Sequence, residues 1–275
     1  MDLMTDSENI EIELLLEAIF RKYGYDFRNY SRASLKRRIN NILLSSKLEN
    51  LATMQHRVLY DKKFFDSVLL DLTVNVTEMF RDPTFYRALR EKVIPVLKTY
   101  PFIKIWHAGC ATGEEVYSMA ILLQEEGLLS KTVLYATDID DKVLKIAREG
   151  IYPLDRIKEY TQNYQKADGS GYFSDYYTAK YEAAIMDSSL KKNIVFSQHN
   201  LVTDGIFGEM NLVICRNVLI YFDRDLQNRV LQLFHDSLTR KGILCLGSKE
   251  TIKFSTVKNL FTEYDGKEKI YKRSK

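Results

Sequence analysis

The stretch His107-Ala108-Gly109-Cys110-Ala111-Thr112-Gly113-Glu114-Glu115 decides the fold. The apolar run at 102–107 reads as a strand and 114–125 as a helix, so both glycines sit in a strand-to-helix turn. Glycine there lets the backbone approach a ligand closely. A pyrophosphate would be repelled by an acidic helix start. Glu114 and Glu115 open this helix, so a cofactor bearing an ammonium or sulfonium group suits the turn better. Carboxylates in a first turn also favour a helix on their own account. For Glu114 alone the two explanations weigh equally, and the glycines beside it tip the balance toward a ligand.

Downstream, short apolar strands at 132–137, 194–199, 212–215 and 242–246 alternate with helices at 141–148 and 223–238. This alternation predicts a parallel sheet with helices on both faces. The end differs: 261–264 and 269–272 flank Asp265-Gly266, the signature of a hairpin with a two-residue turn. The layout, an α/β parallel sheet closed by an antiparallel pair, is similar to the Rossmann-like class I methyltransferases. The stretch 151–192 interrupts the pattern. It is tyrosine-rich and polar around Asp168-Gly169-Ser170-Gly171, too long for a plain connection, and is expected to be an inserted β-subdomain with a strand at 171–177.

Ligands of open α/β sheets bind beyond the carboxyl ends of the strands. Asp138 ends the second strand and can accept hydrogen bonds from both ribose hydroxyls of an adenosine, while Asp140 or Asp141 caps the next helix. Asn200 follows the 194–199 strand, and its amide can hold the adenine amino group and ring nitrogen, with Leu201 packing on the ring. Arg216 and Asn217 follow the 212–215 strand, in the run Cys215-Arg216-Asn217-Val218-Leu219-Ile220-Tyr221-Phe222-Asp223. Each signal is weak alone; their convergence on one crevice is strong.

Upstream the period is helical. Ile12, Leu15, Leu16, Ile19, Phe20 and Tyr23 share one face, and Gly24 stops that helix. Ser31 is placed to cap a second helix with Leu35, Ile39, Ile42 and Leu43 as its buried stripe. Opposite that stripe, five basic residues fall within eleven, at Arg28, Arg32, Lys36, Arg37 and Arg38. An ordinary solvated face competes with a docking surface as the explanation. Asp82-Pro83 signals a further helix start, and Pro95 bends or restarts that helix. The boundaries expected are a helical domain at 1–72, an interdomain segment and helix at 73–100, and a catalytic domain at 101–275 with the insertion at 151–192.

With 275 residues, 45% hydrophobic and 28% charged, and a net charge of +3, the chain can bury a sizeable core and lacks a broad phosphate-binding surface. No nucleic-acid partner is expected. No run of about 18 apolar residues suggests membrane insertion, and the acidic opening residues do not resemble a secretory signal; the cytoplasm is the expected location. Three cysteines without a CxxC pair and four scattered histidines predict no disulfide framework and no metal site.

The runs Asn75-Val76-Thr77-Glu78-Met79-Phe80-Arg81-Asp82, HAGCATGEEVYS from His107, ATDID from Ala136, QHNL from Gln198 and CRNVLIYFD from Cys215, in this order and spacing, resemble the chemotaxis methyltransferases of the CheR type. The likeness covers nearly the whole chain. It implies a small all-helical N-terminal domain, a Rossmann-like catalytic domain with an inserted β-subdomain, S-adenosylmethionine as cofactor with S-adenosylhomocysteine as product, and methylation of glutamates on the cytoplasmic helices of chemoreceptors. By the same resemblance Asn75, Thr77, Arg81, Gly109, Glu114, Asp138, Asn200, Leu201, Arg216 and Asn217 would contact the cofactor, and Arg81 and Tyr221 would stand near the reacting methyl. A packed aromatic is the plainer account of Tyr221 in a chain with 18 tyrosines. Arg32, Lys36, Arg37 and Arg38 would meet the glutamate-rich receptor helix. The insertion can bind a receptor tail peptide, and a monomer is expected. Rival readings are a methyltransferase acting on another protein or on nucleic acid, and a non-catalytic S-adenosylmethionine-binding sensor. An amino-directed nucleic-acid enzyme would carry a proline-bearing motif where Asn200-Leu201-Val202-Thr203 stands, and the intact Arg81, Glu114, Asp138 and Tyr221 weigh against the sensor.

Overall fold

The computed structural model describes residues 3–73 and 76–274. Two units emerge, one of residues up to 74 together with Ile220–Arg229, the other of 75–219 and 230–275.

The first unit is built from helices α1 (Leu3–Tyr23), α2 (Arg32–Ser45), α3 (Leu51–Tyr60) and α4 (Lys62–Leu72). Ile12, Leu15 and Ile19 of α1 share one core with Leu35 and Ile39 of α2 and Phe65 of α4. Gly24 ends α1 as expected, at φ +79 with its N–H donating to the Phe20 carbonyl (2.8 Å). Asn50 and Asp61 cap α3 and α4 by accepting from the N–H groups of Thr53 and Phe64. Ser31 departs from expectation, because its side chain makes no cap. Instead its N–H donates to the Tyr221 carbonyl (2.8 Å), the Asp223 N–H donates to the Asn29 carbonyl (2.9 Å), and Tyr30 bridges Phe222 in antiparallel fashion. A segment from far downstream therefore fixes the entry to α2.

The second unit opens with α5 (Pro83–Ala88), a widened π-type turn over Leu89–Val93 and α6 (Ile94–Lys98). Pro95 lies in the first turn of α6, after the widened turn, where its missing N–H costs least. Then follow β1 (Ile103–Ala108), α7 (Glu114–Glu125), β2 (Thr132–Asp138), α8 (Asp141–Glu149), β3 (Ile151–Pro153), α9 (Ile157–Lys166), β4 (Tyr177–Lys180), β5 (Ala183–Met186), α10 (Ser188–Lys191), β6 (Ile194–Gln198), β7 (Met210–Cys215), α11 (Arg224–Ser237), β8 (Leu238–Leu246), β9 (Phe261–Asp265) and β10 (Ile270–Arg273).

Seven strands form one sheet in the order β6-β2-β1-β7-β8-β10-β9. The first five run parallel, and β10 and β9 close the sheet antiparallel. Every residue of β7 is buried, as a central parallel strand covered on both faces requires. This is the Rossmann-like methyltransferase sheet that the alternation predicted.

Two local expectations fail. The β9–β10 connection is not a two-residue turn: Asp265 Oδ1 accepts from the N–H groups of Lys267 and Glu268 (both 3.0 Å), and the loop ends in a bulge between Ile270 and Tyr271. The stretch 171–177 is not a strand. A 3-10 turn, Phe173–Tyr176, stands there, because the Asp175 side chain accepts from the Tyr172 N–H (3.3 Å) while Phe173 and Tyr176 bury themselves near Tyr164. The small antiparallel sheet of the insertion has the order β3-β5-β4. No described helix is long and apolar enough to cross a membrane.

Candidate active site

Because β1, β2, β6 and β7 are parallel, their carboxyl ends share one rim, and the loops leaving them are tied to each other. The Gly109 and Cys110 N–H groups both donate to the Thr137 carbonyl (2.9 Å each). The Ala111 N–H donates to Asp138 Oδ2 (2.9 Å), and the His199 N–H to the Asp138 carbonyl (3.1 Å). A Cβ on Gly109 (φ +79) would lie 2.5 Å from Val218 Cγ2, and one on Gly113 (φ +93) 2.9 Å from the Ala147 Cβ. Both positions need glycine, for backbone angle and for space. The insertion grips the same loop, since the Tyr152 hydroxyl donates to the Thr112 carbonyl (2.8 Å).

Asp138 ends β2 with both oxygens engaged, Oδ2 by Ala111 and Oδ1 by the Asp140 N–H (3.1 Å). Each oxygen can accept a second bond. Burial pushes its carboxyl upward, and the backbone donors work against that. Asp140 accepts from the Lys142 N–H (2.9 Å) and so caps α8, as expected.

Glu114 and Glu115 are neighbours with opposite surroundings. Glu114 is buried, accepts from Thr112 Oγ1 (2.6 Å) and the Tyr160 hydroxyl (3.5 Å), and among the described residues has no cation in salt-bridge contact. Burial pushes its pKa up to about 7. Glu115 meets His107 Nδ1 (3.3 Å) and Arg216 Nη1 (2.9 Å). Burial would raise it, but the His107 hydrogen bond and the Arg216 charge outweigh burial and hold it below the ordinary carboxylate range.

Arg216 carries the largest surprise. Its guanidinium lies between Glu115 and Asp82 Oδ2 (2.6 Å), over the Phe85 ring at 4.1 Å from the centroid. The sequence suggested a cofactor-facing cation; the guanidinium is committed to these two carboxylates. Asn217 follows at φ +62, in a loop shaped by buried Glu250, which accepts from the N–H groups of Asn217 (3.0 Å), Val218 (2.9 Å) and Gly247 (2.6 Å). Asn200 Oδ1 accepts from the Val202 N–H (2.9 Å), which leaves its amide hydrogens directed elsewhere, and Leu201 beside it is buried.

Asp82 is left-handed (φ +57) and makes no side-chain cap; the expected capping carboxylate is engaged by Arg216. Phe80 is left-handed too (φ +53), with its N–H donating to Ser118 Oγ (2.9 Å). Between them Arg81 donates to the Val76 carbonyl (3.4 Å), and among the described residues no carboxylate pairs with it, although its charge is felt at Glu78. Burial and the neighbouring Glu159 raise the Glu78 carboxyl. Thr77 lies partly buried in this segment. Asn75 lies outside the described residues.

Tyr221 belongs to the helical unit. Its ring lies beneath the Arg38 guanidinium, 5.0 Å from the centroid. Arg38 also donates to the carbonyls of Asp71 and Leu72 (3.2 Å each), and burial pulls its pKa down. It is an internal tie where an outward cation was expected. The remaining basic face is largely matched by α1: Arg32 with Glu13 (2.8 Å), Lys36 with Glu8 (2.6 Å) and Arg28 with Glu17 (2.9 Å). The Arg32–Glu13 pair is exposed and the other two are half-buried; surface contacts of this kind contribute only about 0–1 kcal/mol and are exchangeable. Arg37 is exposed.

Sequence reasoning missed Glu115 and Asp82 as partners of Arg216, His107 as the partner of Glu115, and Glu250 as the organiser of the loop after β7. Glu115 was legible only as a helix-start carboxylate; nothing local marks Glu250.

Residues 75–270 match the family model for the CheR methyltransferase SAM-binding domain, and residues 10–73 match that for the CheR all-alpha domain. The chain is 52% identical over 273 residues to a Pseudomonas putida protein bearing the name Cher3, covering 98% of this chain and 100% of that protein. It is 32% identical over 225 residues to chemotaxis protein methyltransferase 2 of Pseudomonas aeruginosa (80% and 77% of the two chains). It is 29% identical over 234 residues to the chemotaxis protein methyltransferase of Listeria innocua (84% and 86%).

Proposed function

The chain belongs to the CheR methyltransferase family, an S-adenosylmethionine-dependent group, and from that premise we propose that it methylates glutamate side chains on the cytoplasmic helices of chemoreceptors. The residues at the rim fit the cofactor. Glu114, buried beside the glycine turn with no salt-bridge partner among the described residues, suits a cationic ligand and disfavours a phosphate. Asp138 keeps acceptor capacity for ribose hydroxyls, and the Asn200 amide and Leu201 side chain offer a polar edge and an apolar face for an adenine. Thr77, Gly109 and Asn217 supply nearby backbone and small polar groups, and Asn75 is carried with them by the family motif. When bound, the cofactor supplies an electrophilic methyl on a positively charged sulfur.

The observation that carries the substrate reading is the Arg81 guanidinium, which among the described residues meets no carboxylate, in contrast to that of Arg216, which is held by Glu115 and Asp82. A glutamate carboxyl, with an unperturbed pKa of about 4.3, is ionised near neutrality and is already a nucleophile. The protein needs to align it and need not deprotonate it. Arg81 orients the carboxylate, and Tyr221 hydrogen-bonds it or the cofactor's amino-acid end. The alignment that matters is oxygen to methyl carbon at about 3–3.5 Å. On the helical unit Arg32, Lys36 and Arg37 exchange the carboxylates of α1 for those of an acidic receptor helix, which favours encounter and sets register; Arg38 supports them from within. The insertion takes a receptor tail peptide along an exposed strand edge, and the reaction is placed in the cytoplasm.

The test is incubation with methyl-labelled cofactor and receptor-containing membranes. Base-labile label on the receptor band is expected, marking a carboxyl ester, and base-stable label would point to another acceptor. At saturating cofactor Arg81→Ala should lower turnover at least about tenfold, a loss of about 1.4 kcal/mol of transition-state stabilisation. Unchanged turnover would remove Arg81 from the mechanism.

A further inference from the structure

Arg81 stands on a backbone that would not hold its shape unaided. The residues on both sides of it, Phe80 and Asp82, are left-handed, a conformation disfavoured for any side chain with a Cβ. Such strain persists only where the surroundings over-determine it. On one side the Phe80 N–H is held by Ser118 (2.9 Å) and its ring is fully buried. On the other, Arg216 reaches both the Asp82 carboxylate (2.6 Å) and the Arg81 carbonyl (3.4 Å).

Arg216 can do this only if its own charge is balanced, because its side chain is 2% exposed. Asp82 alone is a poor balance, its side chain being 41% exposed. The second anion is Glu115, 2.9 Å away in the first turn of α7 and itself braced by His107 of β1 at 3.3 Å. A continuous chain of polar contacts thus runs from β1, through α7 and the end of β7, to the peptide groups that carry Arg81.

Building on the role of Arg81 just proposed, we propose that Glu115 is a positioning residue for methyl transfer: through Arg216 it fixes the carbonyl of Arg81 and the carboxylate of Asp82, and thereby where the Arg81 guanidinium stands. It does so without touching the cofactor or the accepting carboxylate. Adjacent residues of one helical turn divide the work, Glu114 facing the cationic cofactor and Glu115 facing the buried cation. The low carboxyl pKa of Glu115, set by His107 and Arg216 against burial, keeps it ionised for this task.

The test is a double-mutant cycle on the full chain with receptor-containing membranes, using Glu115→Gln, Arg81→Ala and the two combined. Turnover is read at saturating cofactor, and affinity for S-adenosylhomocysteine by calorimetry. Glu115→Gln should lower turnover at least about tenfold, leave affinity within about twofold, and cost nothing further once Arg81 is alanine. An equal fold-loss in both backgrounds, or a loss seen wholly in cofactor affinity, overturns the proposal. If Arg81→Ala alone leaves turnover intact, the role of Arg81 fails, and that single variant reveals it before the cycle is closed. Should Glu115→Gln not fold by circular dichroism, Asp82→Asn at the exposed end of the same chain supplies the identical comparison.

Discussion

Glu114→Gln isolates the effect of burying a carboxyl beside the glycine turn. In the folded chain burial raises Glu114 from its ordinary 4.5 to about 7. The folded state then holds this proton more tightly than the unfolded state. Its contribution to stability is fully present below pH 4.5 and is gone above pH 7, the reverse of a salt-bridged carboxylate. At about 1.4 kcal/mol per pH unit the full difference is about 3.4 kcal/mol, of which about 2.5 kcal/mol falls between pH 5 and pH 8. Urea unfolding of the ligand-free protein at those two pH values, followed by fluorescence of the buried Trp106, measures it. Wild type and Glu114→Gln titrate all other groups alike, so the other contributions cancel in the difference. Relative to wild type, the variant should gain about 2.5 kcal/mol on going from pH 5 to pH 8. Parallel stability profiles for the two proteins would refute the assignment of burial as the dominant influence on Glu114.

Gly109→Ala should destabilise by about 1–3 kcal/mol, from φ +79 and a Cβ 2.5 Å from Val218 Cγ2; Val218→Ala should restore part of it in denaturant melts, the part due to the clash. Arg216→Met should cost about 3–5 kcal/mol, because Glu115 and Asp82 are left without their shared cation, and thermal unfolding checks this. Reversing Arg32, Lys36 and Arg37 together to glutamate should slow receptor methylation at least about tenfold while cofactor affinity, read by calorimetry, stays unchanged; loss of both would indicate misfolding instead.

The sheet was legible because its information is local. Strands β1, β2 and β7 announce themselves as apolar runs, and the glycines of the turn are forced by positive φ at Gly109 and Gly113. Asp140 as the cap of α8 was legible for the same reason. Side-chain pairing across the chain was not. Arg216 finds Asp82 and Glu115 at separations of 134 and 101 residues, and no window on the sequence contains that choice. The same blindness made Arg38 an outward cation on paper, whereas it donates to carbonyls 33 and 34 residues away. Ser31 makes no side-chain cap, and what holds the entry to α2 is instead a backbone bond from its N–H to the Tyr221 carbonyl, far downstream. The stretch 171–177 misled because aromatic residues that favour strands also favour burial, and near Tyr164 burial won.

The helical unit is sewn together from two distant stretches of the polypeptide, and the thread between them is the Ser31 N–H held by the Tyr221 carbonyl. The phenol proposed to act at the methyl centre is thus tied to the entry of α2, the helix on which Arg32 and Arg37 are exposed. A bulky label at Arg37 that displaces this helix should therefore displace Tyr221 with it. Excising residues 1–74 as a free-standing reader of acidic helices would leave behind the very strip that seats α2, so such a fragment should be a poorer mimic than its boundaries suggest.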